Sequence, residues 1–535
     1  MQQSFLEHVL HDLRKKNVPI SECTYILPSK RSGTFLKSHI AKILGKNVFS
    51  PTVLSIEDFM IQISELSQAS NVDLVLQLYK TYTKVKIKQH DDFDTFLKWG
   101  QTLLQDFNEI DRYLVPPNSI LNYLSAIKEL NHWSMLKDKS DLVQNYLELW
   151  NNLSALYNAF SQSLLNQQKG YQGLIYRSAA KRTALGHRIF QERPIVFIGF
   201  NALNTAEAFI IQHYLENPKN SIYWDIDLCF LDSNVHDAGL FIRDYKQNWP
   251  YYQKRKLEGT HKHYQTPKKI SITGVPKNIS QAQFVGNLLL EIQNDSSNGI
   301  QDTALILADE SLLNPMLQAV PSSISQVNIT MGMPLNKTVL YSFFVSFLDL
   351  QSTSPDSGWF FEDVLSLFSN PICRSLSSSE TMDMVVLISK DIKQHNRLYL
   401  NHQYFERYLA QSELITLLFP ATAPTPLDWI DRSLQLIQKL KVIGQQQKNT
   451  MELEYLYQFH TLFNQLKQQI EPANFVTQLK SIKSLFKQLA ALETTSFIGE
   501  PLSGLQIMGM LESRNLDFET VIITSVNEGI LPAGK

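Results

Sequence analysis

The sequence predicts an α/β protein with large all-α insertions, and three observations predict it. A short apolar or β-branched run, then a polar turn, then helical spacing recurs near residues 24–40, 193–215 and 270–309. Strand and helix patterns that alternate in this way form doubly wound parallel sheets. Between them, residues 60–190 and 353–496 carry mostly helical apolar periodicity. The stretch 504–532 (GLQIMGMLESRNLDFETVIITSVNEGILP) then places strands at 505–510 and 520–525 around a charged crossover, 512–515. Two apolar strands joined in this way suit a sheet buried on both faces.

Composition sets the frame. The 535 residues suit three to four domains, and 44% hydrophobic with 19% charged residues describes an ordinary globular chain. With 49 basic and 51 acidic residues no global field draws the protein to nucleic acid, so any DNA binding must come from a local patch. Three scattered cysteines, Cys23, Cys229 and Cys373, oppose a disulfide framework or zinc site and suit a reducing cytoplasm. No apolar run approaches the ~20 residues of a membrane helix, and Glu7, His8, His11 and Asp12 interrupt the N-terminal apolar residues, unlike a signal peptide. A soluble cytoplasmic protein with no membrane partner is expected.

Taken in order, residues 5–17 have helical spacing at Phe5, Leu6, Val9, Leu10 and Leu13. A strand at 24–27, a turn at 28–33 and a helix from near Thr34 follow. Lys30, Arg31, Gly33 and Thr34 suggest a phosphate loop, but the glycine-rich cradle that must precede the lysine is missing. Residues 49–60 read as a strand ending at Ser55, with Glu57 and Asp58 opening a helix that Ser55 would cap. In the helical block, Pro116-Pro117 separates two helices. Trp99, Leu103, Phe107 and Ile110 form a core stripe, and Asp106, Glu109 and Asp111 read as a solvated or capping face.

Residues 193–215 (RPIVFIGFNALNTAEAFIIQHYL) give a buried strand, a turn at Gly199-Phe200-Asn201 and a helix capped by Asn204 or Thr205. A strand at 221–231 carries Asp225 and Asp227 on one face, two of the ligands a cation would need. Residues 245–266, polar, basic and aromatic, read as a solvated linker, or as a surface where single-stranded nucleic acid stacks. A second α/β unit opens with ISITGVP at 270–276, continues through a helix to a strand at 303–309, and reaches VNITMGMPLNKT at 327–338.

Several stretches resemble a known family. Leu516-Asp517-Phe518, Val521-Ile522 and Asn527-Glu528-Gly529 through Pro532 resemble motif V of superfamily 1 helicases, with Leu511 and Arg514-Asn515 in place of its usual His and Lys-Gly. Residues 24–40 resemble motif Ia, most closely the LxPxxRxxxxL start of AddB/RexB-like proteins, which are helicase-shaped partners whose own ATP site has decayed. Ser55 stands at the motif Ib position. VNITMGMPL is similar to the motif IV region, and FEDVLSLFSNPICRSL to the opening of the 2B insertion. The resemblance covers most of the chain and is good at 24–40, 303–338 and 504–532.

The resemblance implies two RecA-like (P-loop NTPase-fold) modules, each interrupted by a helical subdomain. The first module takes 1–60 and 188–265 around a 1B-like insertion at 61–187. The second, incomplete, takes 266–352 and 497–535 around a 2B-like insertion at 353–496. An active helicase would end the 195–198 strand in Asp-Glu, which holds magnesium and positions water. Gly199 and Phe200 stand there instead. With the phosphate loop also missing, no catalytic residue, metal or cofactor is expected in this stretch. Family members continue past this point into a PD-(D/E)XK nuclease domain, which needs Mg2+ and often carries an iron–sulfur cluster.

The implied function is that of an inactivated helicase portion of a recombination exonuclease. It would guide DNA at double-strand breaks beside an AddA-like motor subunit. Lys30, Arg31, Thr34, Lys37, Ser55, Arg514 and Asn515 would meet single- or double-stranded DNA ends, chiefly through phosphates. Two other classes stay open. A divergent ATP-dependent helicase would show DNA-dependent ATP turnover, and a docking scaffold would fail to bind DNA at low salt.

Overall fold

The computed structural model describes residues 3–45, 48–131, 141–233, 235–295, 300–352, 358–377, 379–409, 412–447, 450–495, 502 and 504–532. It is an α/β protein with parallel sheets and extensive helical regions.

Helix α1 (Phe5–Lys15) opens with a capping box between Ser4 and Glu7 and buries the five apolar residues expected of it. Strand β1 (Thr24–Leu27), helix α2 (Lys30–Leu44), strand β2 (Thr52–Ser55) and helix α3 (Ile56–Ser64) follow. The Ser29 hydroxyl accepts the Ser32 N–H and starts α2 a turn earlier than expected, so Lys30 and Arg31 lie in its first turn. Helices α4 (Asn71–Tyr82), α5 (Phe93–Arg112) and α6 (Gln172–Ala184) precede strand β3 (Ile195–Ile198). Helix α7 (Thr205–Leu215), capped by Asn204 and Glu207, leads to strands β4 (Ser221–Asp227) and β5 (Glu258–His261).

These five strands form one parallel sheet, ordered β2-β1-β3-β4-β5. From β1 the chain steps outward to β2, and it returns on the other side of β1 with β3. Connectivity therefore reverses between β1 and β3, and the crevice outside their carboxyl ends is where open α/β sheets hold ligands.

Two expectations for this half are corrected. The strand from Ser221 closes at Asp227, whose carboxylate accepts the Cys229 N–H and begins a short helix, Leu228–Asp232. Residues 245–266 are not a solvated linker, because β5 joins the sheet and Tyr245, Trp249 and Tyr252 are buried. Trp224 stacks on Tyr245 at 5.3 Å and its indole N–H donates to the Tyr252 hydroxyl, so the core takes up Tyr245, Trp249 and Tyr252, while Tyr264 stays exposed.

The second sheet follows helix α8 (Asn278–Asp295). It contains β6 (Thr303–Leu307) and, after helix α9 (Leu313–Ala319), β7 (Val327–Ile329). Helices from α10 (Val339–Gln351) to α11 (Leu479–Leu492) intervene before β8 (Leu505–Gly509) and β9 (Thr520–Thr524). The order is β9-β6-β8-β7, all parallel. One face packs Leu305, Leu307, Leu505 and Ile507 against α8 and α9, and the other carries Ala304, Ile306, Met508 and Phe518.

The ISITGVP strand does not form. Residues 270–276 pair with no strand, and Ile270 and Ile272 are 77% and 96% exposed. Apolar alternation makes a strand only where a neighbour takes its backbone hydrogen bonds. Strand β9, expected to be buried on both faces, is an edge strand with Val521 and Ile523 exposed.

The helical blocks share one apolar core. Tyr79 and Phe93, from α4 and α5, pack on the Phe475 ring at 4.7 and 5.1 Å, and the cluster runs on through Phe344, Trp429, Phe463 and Phe486. Leu103 and Phe107 are buried in it, with Trp99 and Ile110 against its rim. The acidic face needs correction at one residue. Asp111 is completely buried, accepting from Tyr157, Tyr171 and Arg177, whose guanidinium also donates to the Ile110 and Val115 carbonyls. A carboxylate can be buried only when paired and hydrogen-bonded in this way.

Candidate nucleic-acid interface

Lys30, Thr34 and Lys37 stand at i, i+4 and i+7 along α2 and therefore share one helix face. Lys30 and Lys37 are exposed and Thr34 is half-buried. The Lys30 ammonium lies 3.1 Å from Asp58 with its side chain 76% exposed, an ion pair too solvated to hold the cation firmly. Burial pushes the Asp58 carboxyl up, but hydrogen bonds from Ser55 and Lys30 outweigh it and hold it below its ordinary range. Ser55 itself is buried and spends its hydroxyl on the α3 cap, accepting the Asp58 N–H and donating to the Asp58 carboxylate at 2.8 Å.

Arg31 points elsewhere. Its guanidinium donates to Gln506 Oε1 at 2.6 Å on β8 and lies over the Phe35 ring at 5.6 Å. Burial lowers its pKa to about 10, opposed by the charge of Glu512, so it stays cationic at neutral pH. Arg31 therefore ties the first sheet's crevice to the second sheet rather than facing solvent.

The loop after β8 completes that tie. The Ser32 hydroxyl donates to the Arg514 carbonyl at 3.1 Å, and the Asp517 carboxylate accepts the Phe5 N–H at 2.8 Å. Asn515 adopts a left-handed backbone (φ 62°), is buried, and sets its side chain against Gly199 at the end of β3. Gly199 also has positive φ (70°), and a β-carbon there would lie 2.0 Å from Asn515 Oδ1. The switch-point crevice of the first sheet is thus occupied by the chain's own residues 514–517. Phe200 is buried in the sheet's core beside Phe197.

The remaining motif residues divide. Leu516 is half-buried and Phe518 packs on Ala304, Ile306 and Met508, whereas Arg514, Asn527, Glu528 and Gly529 are exposed. Gln506 and Ser32 were missed in the sequence, and Asp58 was read only as part of the α3 start. Gln506 was legible only as a polar residue inside an apolar strand, where it accepts from both Arg31 and Asn328.

Asp225 and Asp227 both face a histidine. His261 on β5 lies 3.1 Å from Asp225 and 3.2 Å from Asp227, and the Tyr264 N–H donates to Asp227. The hydrogen bond to Asp225 leads the causes that raise the His261 pKa, against burial. Among the described residues no group of three His, Cys, Asp or Glu has an arrangement that could hold a metal, and no helix is long and apolar enough to cross a membrane.

Fold and site together define an α/β protein whose two parallel sheets are tied together across a filled crevice, beside an exposed basic helix face. Comparison with protein families and with curated proteins returns no match.

Proposed function

We propose that this chain is the DNA-binding, pseudo-helicase portion of an AddB-like helicase/nuclease of the PD-(D/E)XK family. It guides a single strand during double-strand break repair and recombination without hydrolysing ATP. The observation that carries this reading is the exposed Lys30–Thr34–Lys37 face of α2 at the carboxyl edge of a parallel sheet. Its cations meet the strand's phosphates, and Thr34 supplies a hydroxyl. Arg514, exposed beside the crevice, extends the basic surface.

The filled crevice supports the second half of the reading. Asn515 lies against Gly199, where a helicase would place its acidic pair, so nucleotide has neither a cradle nor space. Strand movement then depends on an AddA-like motor subunit, and cleavage on a nuclease domain with Mg2+ and an iron–sulfur cluster. Both RecA-like modules serve as a track, in the cytoplasm. The test is fluorescence anisotropy of a labelled 20-nucleotide single strand with wild type and a Lys30→Ala/Lys37→Ala variant. Weaker binding by the variant supports the reading, and equal binding removes it.

A further inference from the structure

The amino ends of strands β3 and β4 hold a cavity of about 260 Å³, smaller than the pockets that take drug-sized ligands. It lies at the opposite end of the first sheet from the filled crevice and the start of α2, so a ligand there leaves the basic helix face free. The loop before β3 brings Arg188 to it, and the loop from α7 to β4 brings Asn217 and Pro218. Asn220 braces the frame, because its carbonyl oxygen accepts the Ile195 N–H and its amide donates to the Tyr214 carbonyl. Ile195 and Pro218 supply apolar wall.

The other polar groups of the lining are donors. Arg188 Nη2 donates to the Glu216 carboxylate at 2.6 Å, while Arg188 Nε is buried with no partner among the described residues. Tyr214, 2% exposed, accepts the Ile189 N–H at its hydroxyl and donates to no described residue. Burial pushes that hydroxyl up to about 12, against the Ile189 bond and the charge of Arg188, so it keeps its proton. The Asn217 side-chain oxygen accepts the Lys219 N–H, which leaves its amide N–H groups for a ligand. Among the described residues of the lining, Arg188 alone is charged.

This donor set selects an anion, and Arg188 selects its shape. The Nε and Nη2 groups of a guanidinium form one edge of a fork that fits both oxygens of a carboxylate. Glu216 occupies a single tine of that fork, and its side chain is 59% exposed, so the pair is weak and readily exchanged. Glu216 is thus the chain's own stand-in for a ligand. We propose that this pocket binds a carboxylate on a short apolar stem, carried by a small acid or by the terminal residue of a peptide. Arg188 takes both oxygens and releases Glu216 to solvent. The Tyr214 hydroxyl and the Asn217 amide add donors, and the stem lies against Ile195 and Pro218.

The experiment titrates the protein with millimolar butyrate, with the peptide acetyl-Ala-Ala-Val bearing a free terminal carboxylate, with the same peptide as its amide, and with inorganic phosphate, all by saturation-transfer NMR. Butyrate or the free-acid peptide should bind. Arg188→Gln should weaken that binding about ten-fold or more, the loss of hydrogen bonds to a charged group. Glu216→Gln, which removes the internal competitor, should strengthen it about two- to five-fold. Both substituted side chains reach solvent, and unchanged Tm values confirm that the variants fold. Binding of butyrate assigns the pocket to a small acid, and binding of the free-acid peptide without butyrate assigns it to a protein terminus. No binding by either, equal binding of the peptide amide, or tighter binding of phosphate overturns the carboxylate site. So does an affinity that Arg188→Gln leaves unchanged or that Glu216→Gln lowers.

Discussion

Gly199 and Asn515 meet so closely that a β-carbon on the glycine would lie 2.0 Å from Asn515 Oδ1. Both have left-handed backbones, at φ 70° and 62°, on loops that close strands of different sheets. Gly199→Ala should cost about 1–2 kcal/mol from backbone strain alone, and more from displacing Asn515. Adding Asn515→Gly, which keeps the positive φ available, should recover the steric part but not the strain. Urea unfolding of the two single variants and the double variant measures this directly. Strictly additive losses would show that the two residues do not meet.

Arg31 and Lys30 are adjacent in sequence and opposite in role. Arg31→Ala should remove the tie to Gln506 and lower stability by about 1–3 kcal/mol, as expected when a hydrogen bond to a charged group is lost. It should leave the salt dependence of DNA binding unchanged. Unfolding midpoints and binding slopes on the same preparation separate the two effects. A changed slope with unchanged stability would put Arg31 on the DNA.

Asp111 makes a harsher test of the helical block. Asp111→Ala strands the Arg177 guanidinium and two tyrosine hydroxyls in the core, and breaking a buried pair on one side typically costs about 3–5 kcal/mol. Denaturant titration followed by far-UV circular dichroism should show a loss of that size. A loss below about 1 kcal/mol would mean that water reaches the site.

His261 gives the protein a pH dependence of known sign. Folding raises its pKa through Asp225 and Asp227, so its contribution is complete below the unfolded value of about 6.5. The contribution is lost as pH rises through the folded value. The Tm gap between wild type and His261→Asn should therefore be wider at acidic than at alkaline pH, corresponding to about 1 kcal/mol for a partly exposed pair. A gap that widens with pH would reverse the assignment.

What the sequence made legible follows from which signals are local. Capping by Ser55 and Asn204, the core stripe on α5 and the strands at 24–27, 195–198 and 303–307 depend on neighbours a few residues away, and they could be read. The role of Asp111 could not, because its partner Arg177 lies 66 positions further on. Ile270 and Ile272 mislead for the converse reason, since a strand pattern is realised only if a distant strand lies alongside. Lys30 and Lys37 could be recognised as a basic helix start. That Arg31 turns away to Gln506, 475 positions distant, is a property of the assembled sheets.

The most direct measurement is the salt dependence of single-strand binding, by anisotropy of a labelled 20-nucleotide strand between 50 and 200 mM salt. Each phosphate contact on a single strand contributes a slope of about −0.7 to log K against log[salt]. Lys30→Ala/Lys37→Ala should therefore flatten the wild-type slope by about 1.4. A folded wild type that binds no strand at 50 mM, or a variant with the wild-type slope, would contradict the account.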